Sequence, residues 1–248
     1  MKNKIGWCSM TFNPVWGCLN KCEYCYARKI AKRFGEKMSK VEFDPYFYFA
    51  HPEDIENSRI ALSNRLRNFI PTFLYSQFDK KFPKKPQRIF VGSMSEIAHW
   101  EKGWMEKVLR KIKKYPQHTF IFLTKFPKVY YGEIFPENCW LGVTITKESD
   151  FEKNDEWWGW FFNEANITFL SFEPLLKPIP IEWIGYSNID WVIIGAETGN
   201  RKDKVIPKKE WIEDIVNYCN IRNILIYLKD SLKEIYPVEI KEFPKEGK

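Results

Sequence analysis

Short apolar runs that end in polar or charged residues set the pattern of this chain. Ile89-Phe90-Val91 runs into Gly92-Ser93-Met94-Ser95-Glu96, Phe120-Ile121-Phe122-Leu123 into Thr124-Lys125, and Trp140-Leu141-Gly142-Val143 into Thr144-Ile145-Thr146. Ile167-Thr168-Phe169-Leu170 runs into Ser171-Phe172-Glu173, Trp191-Val192-Ile193-Ile194 into Gly195-Ala196-Glu197, and Ile224 to Leu228 into Lys229-Asp230. Runs this short and nearly continuous in hydrophobicity predict parallel strands covered on both faces. Helical patterns lie between them. Trp104, Val108, Ile112 and Tyr115 share one face, with Met105 and Leu109 widening it. Pro207 opens a helix that aligns Trp211, Ile215 and Tyr218. His51 and Pro52, followed by Glu53 and Asp54, start a helix whose stripe Ile55, Leu62, Leu66 and Phe69 ends at Pro71. Another helix begins at Tyr26, Ile30 and Phe34.

Strands alternating with helices imply an α/β fold with a mainly parallel sheet. A seventh strand within Ile5 to Phe12 makes a partial or complete (β/α) TIM-type barrel the expected architecture, as one domain over residues 1–248. In such folds chemistry gathers at the carboxyl ends of the strands. This chain puts Glu96, Lys125, Thr144, Thr146, Glu173, Glu197 and Lys229 there, although any strand must end somewhere polar. Glu173 and Lys125 are the catalytic candidates. Glu173 precedes Pro174, which stops its strand at the rim, and Lys125 and Lys229 are cations able to pair with Glu96, Glu173 or Glu197.

Composition narrows the class. With 248 residues, 44% of them hydrophobic and 29% charged, the chain is globular in type, and no fixed-period repeat points to a solenoid. No apolar stretch approaches the ~18 residues of a membrane span. The first residues lack a secretory pattern, so the expected address is cytoplasmic, without a membrane partner. The net charge of +7 permits attraction to polyanions but is spread along the chain. The basic runs Lys80-Lys81, Lys84-Lys85, Lys111 to Lys114 and Arg201-Lys202 carry no nucleic-acid motif and read mostly as solvated faces.

Cysteine and aromatic usage remain to be explained. In Trp16-Gly17-Cys18-Leu19-Asn20-Lys21-Cys22-Glu23-Tyr24-Cys25-Tyr26, three cysteines fall at C-x3-C-x2-C in a loop that leads into a helix. That spacing lets three thiolates converge on a soft metal centre. Buried thiols and a structural zinc site are the alternatives, but zinc ordinarily takes four protein ligands. Three ligands on a four-iron cluster leave one iron open to a substrate or cofactor. Cys8, Cys139 and Cys219 fit inert packing, with Cys8 also a conceivable fourth ligand. His51 and His118 read as structural, while His99 follows a presumed strand end and is a candidate to line the site. Trp157, Trp158, Trp160, Phe161 and Phe162 read as core packing, or as a lid that stacks on nucleobases.

In the cysteine motif, with Tyr24 before the last cysteine, the chain resembles the radical S-adenosylmethionine (SAM) superfamily. It resembles a phage-associated branch more broadly, through Phe90 to Glu96, Phe122 to Lys125, Trp140 to Val143, Leu170 to Leu176 and Trp191 to Gly199. The resemblance implies that Cys18, Cys22 and Cys25 hold a 4Fe-4S cluster and that SAM chelates its open iron. Reductive cleavage of SAM would then give a 5′-deoxyadenosyl radical that abstracts hydrogen from a substrate. It also implies an electron donor such as flavodoxin or ferredoxin. Cofactor contacts fall to Tyr24, Ser93, Ser95, Glu96, Thr144 and Glu197. Two motifs depart from the superfamily pattern: Gly92-Ser93-Met94-Ser95-Glu96 stands where Gly-Gly-Glu is common, and only Gly195 precedes Glu197 in the later glycine motif. The substrate class to which the basic charge and tryptophans lean is a nucleotide or nucleic acid. A different class of function, a non-enzymatic iron-sulfur or zinc protein binding nucleic acid, accounts for the same cysteines and charge.

Overall fold

A computed structural model of the chain describes residues 5–42, 52–161, 166–185 and 188–245. His51 and Phe162 lie outside them. In chain order the strands and helices begin β1 (Met10–Phe12), β2 (Val15–Trp16), α1 (Tyr26–Glu42), α2 (Pro52–Arg67), β3 (Thr72–Phe73), α3 (Tyr75–Phe78), β4 (Arg88–Val91) and α4 (Trp104–Ile112). They continue β5 (Thr119–Thr124), β6 (Cys139–Thr144), α5 (Glu148–Glu152), α6 (Asp155–Phe161), β7 (Ile167–Phe172), α7 (Ile181–Gly185), β8 (Trp191–Ile194), α8 (Lys209–Arg222) and β9 (Leu225–Leu228).

Seven strands pair in the order β1-β4-β5-β6-β7-β8-β9, every pair parallel, as a half-barrel. The expected partial barrel is present and a complete one is not: β1 and β9 stay at opposite edges of the sheet. The free edge of β9 is taken by the chain that returns after it. Leu228 N–H donates to Ile240 O (2.9 Å) and Glu242 N–H to Ile226 O (2.9 Å), around an antiparallel bridge between Tyr227 and Lys241. A covered edge no longer recruits another parallel strand.

Side chains alternate across each strand. One face carries Ile89 and Val91, Phe120 and Phe122, Val192 and Ile194, which pack with Val108 and Ile112 of α4 and Ile212 and Ile215 of α8. The other face carries Phe90, Trp140, Phe169, Trp191 and Tyr227, joined by Trp7 from the N-terminal segment and Phe243 from the C-terminal one. Trp191 is central to this aromatic plug, with ring centroids 5.7 Å from Trp140, 5.3 Å from Phe169 and 5.6 Å from Phe243. Gly142 makes room for it, since a Cβ there would lie 2.1 Å from the Phe169 ring. Much of the aromatic excess is spent filling the open half-barrel.

Between β1 and β4 the chain inserts the cysteine loop, α1, α2 and the small antiparallel pair β2-β3. The buried residues of α1 are Ala27, Ala31, Gly35 and Ser39, a small-residue stripe that lets α2 approach closely. A Cβ at Gly35 would sit 3.0 Å from the Arg67 backbone nitrogen. Tyr26, Ile30 and Phe34 are left more exposed, with the Tyr26 hydroxyl turned onto Ser93 O at the cavity. Trp158 and Phe161 belong to the core: Trp158 stacks on Phe151 at 4.2 Å, and Phe161 on Tyr130 at 5.7 Å. Lys111 departs from a solvated role, since it donates to Phe78 O and to Lys80 O (2.7 Å) and lies over the Phe12 and Phe82 rings. No helix among the described residues is long and apolar enough to cross a membrane.

Candidate functional site

One cavity of about 250 Å3 opens at the carboxyl ends of the parallel strands, above the aromatic plug. It is lined by Cys18, Cys22, Tyr24, Cys25, Ser93, Ser95, Glu96, Lys125, Thr144, Glu173, Glu197 and Lys229, all expected from sequence, whereas Thr146 and His99, the other two candidates, are not among its lining residues. Strand alternation explains part of this gathering. Two residues beyond an inward Phe169, Ile193 or Tyr227 come Ser171, Gly195 and Lys229, on the same face and one layer higher.

The cysteine loop is hung by its backbone. Gly17 N–H donates to Met94 O (3.0 Å), Cys18 N–H to Phe69 O (2.9 Å) and Leu19 N–H to His99 Nδ1 (3.1 Å). Gly17 has φ 120°, and a Cβ there would lie 2.3 Å from the Ile70 carbonyl carbon, so only glycine fits. Arg28, one turn into α1, donates from Nη2 to Cys18 O (3.1 Å) and Asn20 O (2.6 Å). Its guanidinium lies 5.0 Å from the centroid of the Phe69 ring. Two sulfurs accept backbone N–H groups: Cys18 Sγ from Asn20 (3.3 Å) and Cys25 Sγ from Arg28 (3.4 Å).

Among the described residues no group of three or more His, Cys, Asp or Glu side chains is arranged to hold a single metal ion. Single-ion thiolate ligation at about 2.3 Å would bring tetrahedral sulfurs within roughly 4 Å of each other. A four-iron cluster binds each cysteine through a different iron and needs a wider triangle. Three cysteines line the one cavity and two of their sulfurs accept N–H···S bonds, a donor set of the kind that sulfur-ligated clusters take. Burial pushes the Cys18 thiol up to about 12. Cys8 does not share this position: it is buried with Trp7 and Phe90 in the aromatic plug. Cys139 and Cys219 are buried in the helix-covered core.

The carboxylates divide by how they are held. Glu96 is buried, with Oε1 accepting Ala98 N–H (3.3 Å) and the Thr124 hydroxyl, and Oε2 accepting Lys125 N–H (3.0 Å). Desolvation raises its pKa, against the pull of those donors. Glu197 is gripped in bidentate fashion by Arg201, Nε to Oε1 at 2.7 Å and Nη2 to Oε2 at 2.8 Å, which holds its carboxyl below the usual range. Arg201 continues to Glu23 Oε2 (3.0 Å) in the cysteine loop, so it is no solvated surface charge. Glu173 differs: Oε2 accepts Trp7 Nε1 (3.1 Å) and the Ser171 hydroxyl (3.2 Å), while Oε1 meets Lys229 Nζ at 2.5 Å.

The serine hydroxyls are both committed to protein partners. Ser93 Oγ donates to Asn13 Oδ1 (3.0 Å), which also accepts Met94 N–H (3.2 Å), and Ser95 Oγ accepts Trp100 Nε1 (3.0 Å). The Tyr26 hydroxyl donates to Ser93 O (2.9 Å). Burial, followed by the neighbouring Cys22, raises the Tyr24 phenol well above its ordinary value. Lys125 Nζ lies 5.6 Å from the Tyr24 ring centroid and forms no ion pair with another described residue.

Sequence reasoning missed Asn13, Arg28, Arg201 and Trp7. Arg201 alone carried a local signal, a cation four residues after Glu197. Asn13 and Trp7 act across 80 and 166 residues, and Arg28 reaches back 8 and 10 to two carbonyls of the cysteine loop. No curated protein matches this chain, and no solved structure does. Over residues 2–237 it matches the model of one family, and the chain therefore belongs to the family described as a protein of unknown function, DUF5131.

Proposed function

We propose that this chain is a radical SAM enzyme, with Cys18, Cys22 and Cys25 holding a 4Fe-4S cluster and SAM bound beside it. The observation that supports this most is the joining of the three cysteines, spaced C-x3-C-x2-C, to the polar ends of the parallel strands in one cavity. When bound, cluster and SAM together supply hydrogen abstraction through the reductive cleavage of SAM.

The protein's own residues divide the remaining work. Tyr24 and Thr144 offer a ring and a hydroxyl to the cofactor, and the Gly92–Glu96 loop, with the Ser93 and Ser95 hydroxyls tied to protein partners, offers it backbone groups and one remaining lone pair of Glu96. Glu197 serves through Arg201 as a positioning residue for the cysteine loop. Lys125 and Glu173 face the interior as the groups that meet a substrate. Trp7, Phe90 and Leu123 exclude water from below. The reducing cytoplasm suits six free thiols, and a flavodoxin- or ferredoxin-type donor suits the required electron.

Anaerobic reconstitution should load about four irons per chain, and reduction in the presence of SAM should release 5′-deoxyadenosine. Cys22→Ala should abolish iron loading while Cys8→Ala retains it. A properly loaded sample that leaves SAM intact, or a site that needs Cys8, would replace this reading with a redox or structural centre.

A further inference from the structure

We propose that Glu173 and Lys229 form a nucleobase-reading subsite, taking the edge of a planar heterocycle that presents a hydrogen-bond acceptor beside an N–H. The inference names a substrate class for the radical SAM reading and rests on it only in taking this cavity as the reaction chamber.

The pair is built for exchange. Its two side chains are 17% and 21% exposed, inside the cavity and not on the outer surface. Trp7 Nε1 and the Ser171 hydroxyl fix Glu173 Oε2, leaving Oε1 facing Lys229 alone. Gly195 gives the pair its space: a Cβ there would lie 3.0 Å from Lys229 Cδ and 3.1 Å from Glu173 Cγ. A half-buried ion pair contributes little net stability, because desolvation offsets much of the attraction. Folding alone therefore gives little reason to clear a niche around it.

The chemistry of the niche selects the ligand. Lys229 supplies donors and Glu173 Oε1 an acceptor, side by side, so a ring with a carbonyl or ring nitrogen next to an N–H meets both at once. Leu123 and the small surface that the buried Trp7 and Phe90 rings, inclined at 52° to each other, show to the cavity form the adjoining apolar wall. The apolar face of a flat base loses water against such a wall. An amino-acid zwitterion would satisfy the two charges and leave the wall uncovered.

The test is calorimetric binding to the full chain, before and after cluster loading. The probes are uridine and inosine, their edge-blocked counterparts N3-methyluridine and N1-methylinosine, and L-alanine as the zwitterion. At least one nucleoside should bind, and blocking its N–H should weaken binding by about one to two orders of magnitude. Glu173→Gln and Lys229→Met should each cause a loss of that order, with melting curves checking their folding. The methylated probes decide the matter on the unaltered protein should a variant fail to fold. The proposal is overturned if neither nucleoside binds at millimolar concentration, if methylation makes no difference, or if only L-alanine binds. Loss of base discrimination with SAM cleavage intact would remove this inference alone. Discrimination without SAM cleavage would remove the radical reading alone.

Discussion

The two walls of the cavity are built in different ways. The cysteine wall hangs from backbone hydrogen bonds at Gly17, Cys18 and Leu19 and is backed by the close α1–α2 packing. Two carboxylates serve it and are committed to protein donors: Glu96, and Glu197, which reaches across from the end of β8 through Arg201. The opposite wall, from β7 to β9, takes its frame from sheet register and meets the cavity with side chains: Glu173 and Lys229, paired to each other. The first wall spends its polar groups on holding a loop in place. The second keeps a charged pair that a ligand can divide. Positioning a cofactor and recognising a substrate make these separate demands, and the contrast is open to attack from either side.

The largest effect is expected at Gly17. Gly17→Ala puts a methyl group 2.3 Å from backbone that no rotamer can move, at a φ of 120°. Strain and displacement together should cost about 3 kcal/mol or more, read from denaturant unfolding. Iron loading should fall with it, because Cys18 is the next residue. Gly103 provides the control: its φ is also positive, 86°, but nothing lies within 4 Å of an added Cβ. Gly103→Ala should cost only the backbone term, about 1 kcal/mol, and leave iron loading intact. Equal losses at the two sites would mean that the cysteine wall is not held through Gly17.

A middle-sized effect is expected at Arg201, which joins Glu197 to Glu23. Arg201→Gln leaves the Glu197 carboxylate, almost wholly buried, without its bidentate partner, so the melting temperature at neutral pH should fall by several degrees. Folding depresses the Glu197 pKa, so the stabilisation is present above the unfolded value, near 4.3, and is lost as pH falls through the lower folded value. The gap between variant and parent should therefore close on acidification below about pH 4. A gap constant from pH 7 to 3 would show that Arg201 acts by packing and not through charge.

How much of this was legible in the sequence depends on the range of the interaction. Continuous apolar runs placed the strands, and the residues just past them, such as Glu173 and Lys229, could be assigned to the strand ends because a strand's direction is local information. The cysteine spacing was legible for the same reason. Which face of α1 packs was not: the spacing marked a helix, whereas the approach of α2 selects Ala27, Ala31 and Gly35 for burial. Barrel closure was equally hidden, because the edge of β9 is covered by residues 240–242, whose pattern carries no strand signal. Asn13 reaches Ser93 across eighty residues, and Trp7 reaches Glu173 across 166. Polar partners at such separations leave no periodicity to read.

The smallest change in stability, and the sharpest test of the comparison, belongs to Gly195. Gly195→Ala adds a methyl group 3.0 Å from Lys229 Cδ and 3.1 to 3.2 Å from Glu173. Unlike Gly17, it meets side chains, and the far part of a lysine can turn aside at little cost. Unfolding free energy should change by no more than about 1 kcal/mol, and iron loading not at all. The altered angle between Lys229 and Glu173 should still reduce nucleoside affinity. If the cavity is instead one continuous site with no division of labour, Gly195→Ala should depress iron loading and nucleoside binding together. Measured side by side, Gly17→Ala and Gly195→Ala then separate a wall that fails through its backbone from one that fails through its side chains.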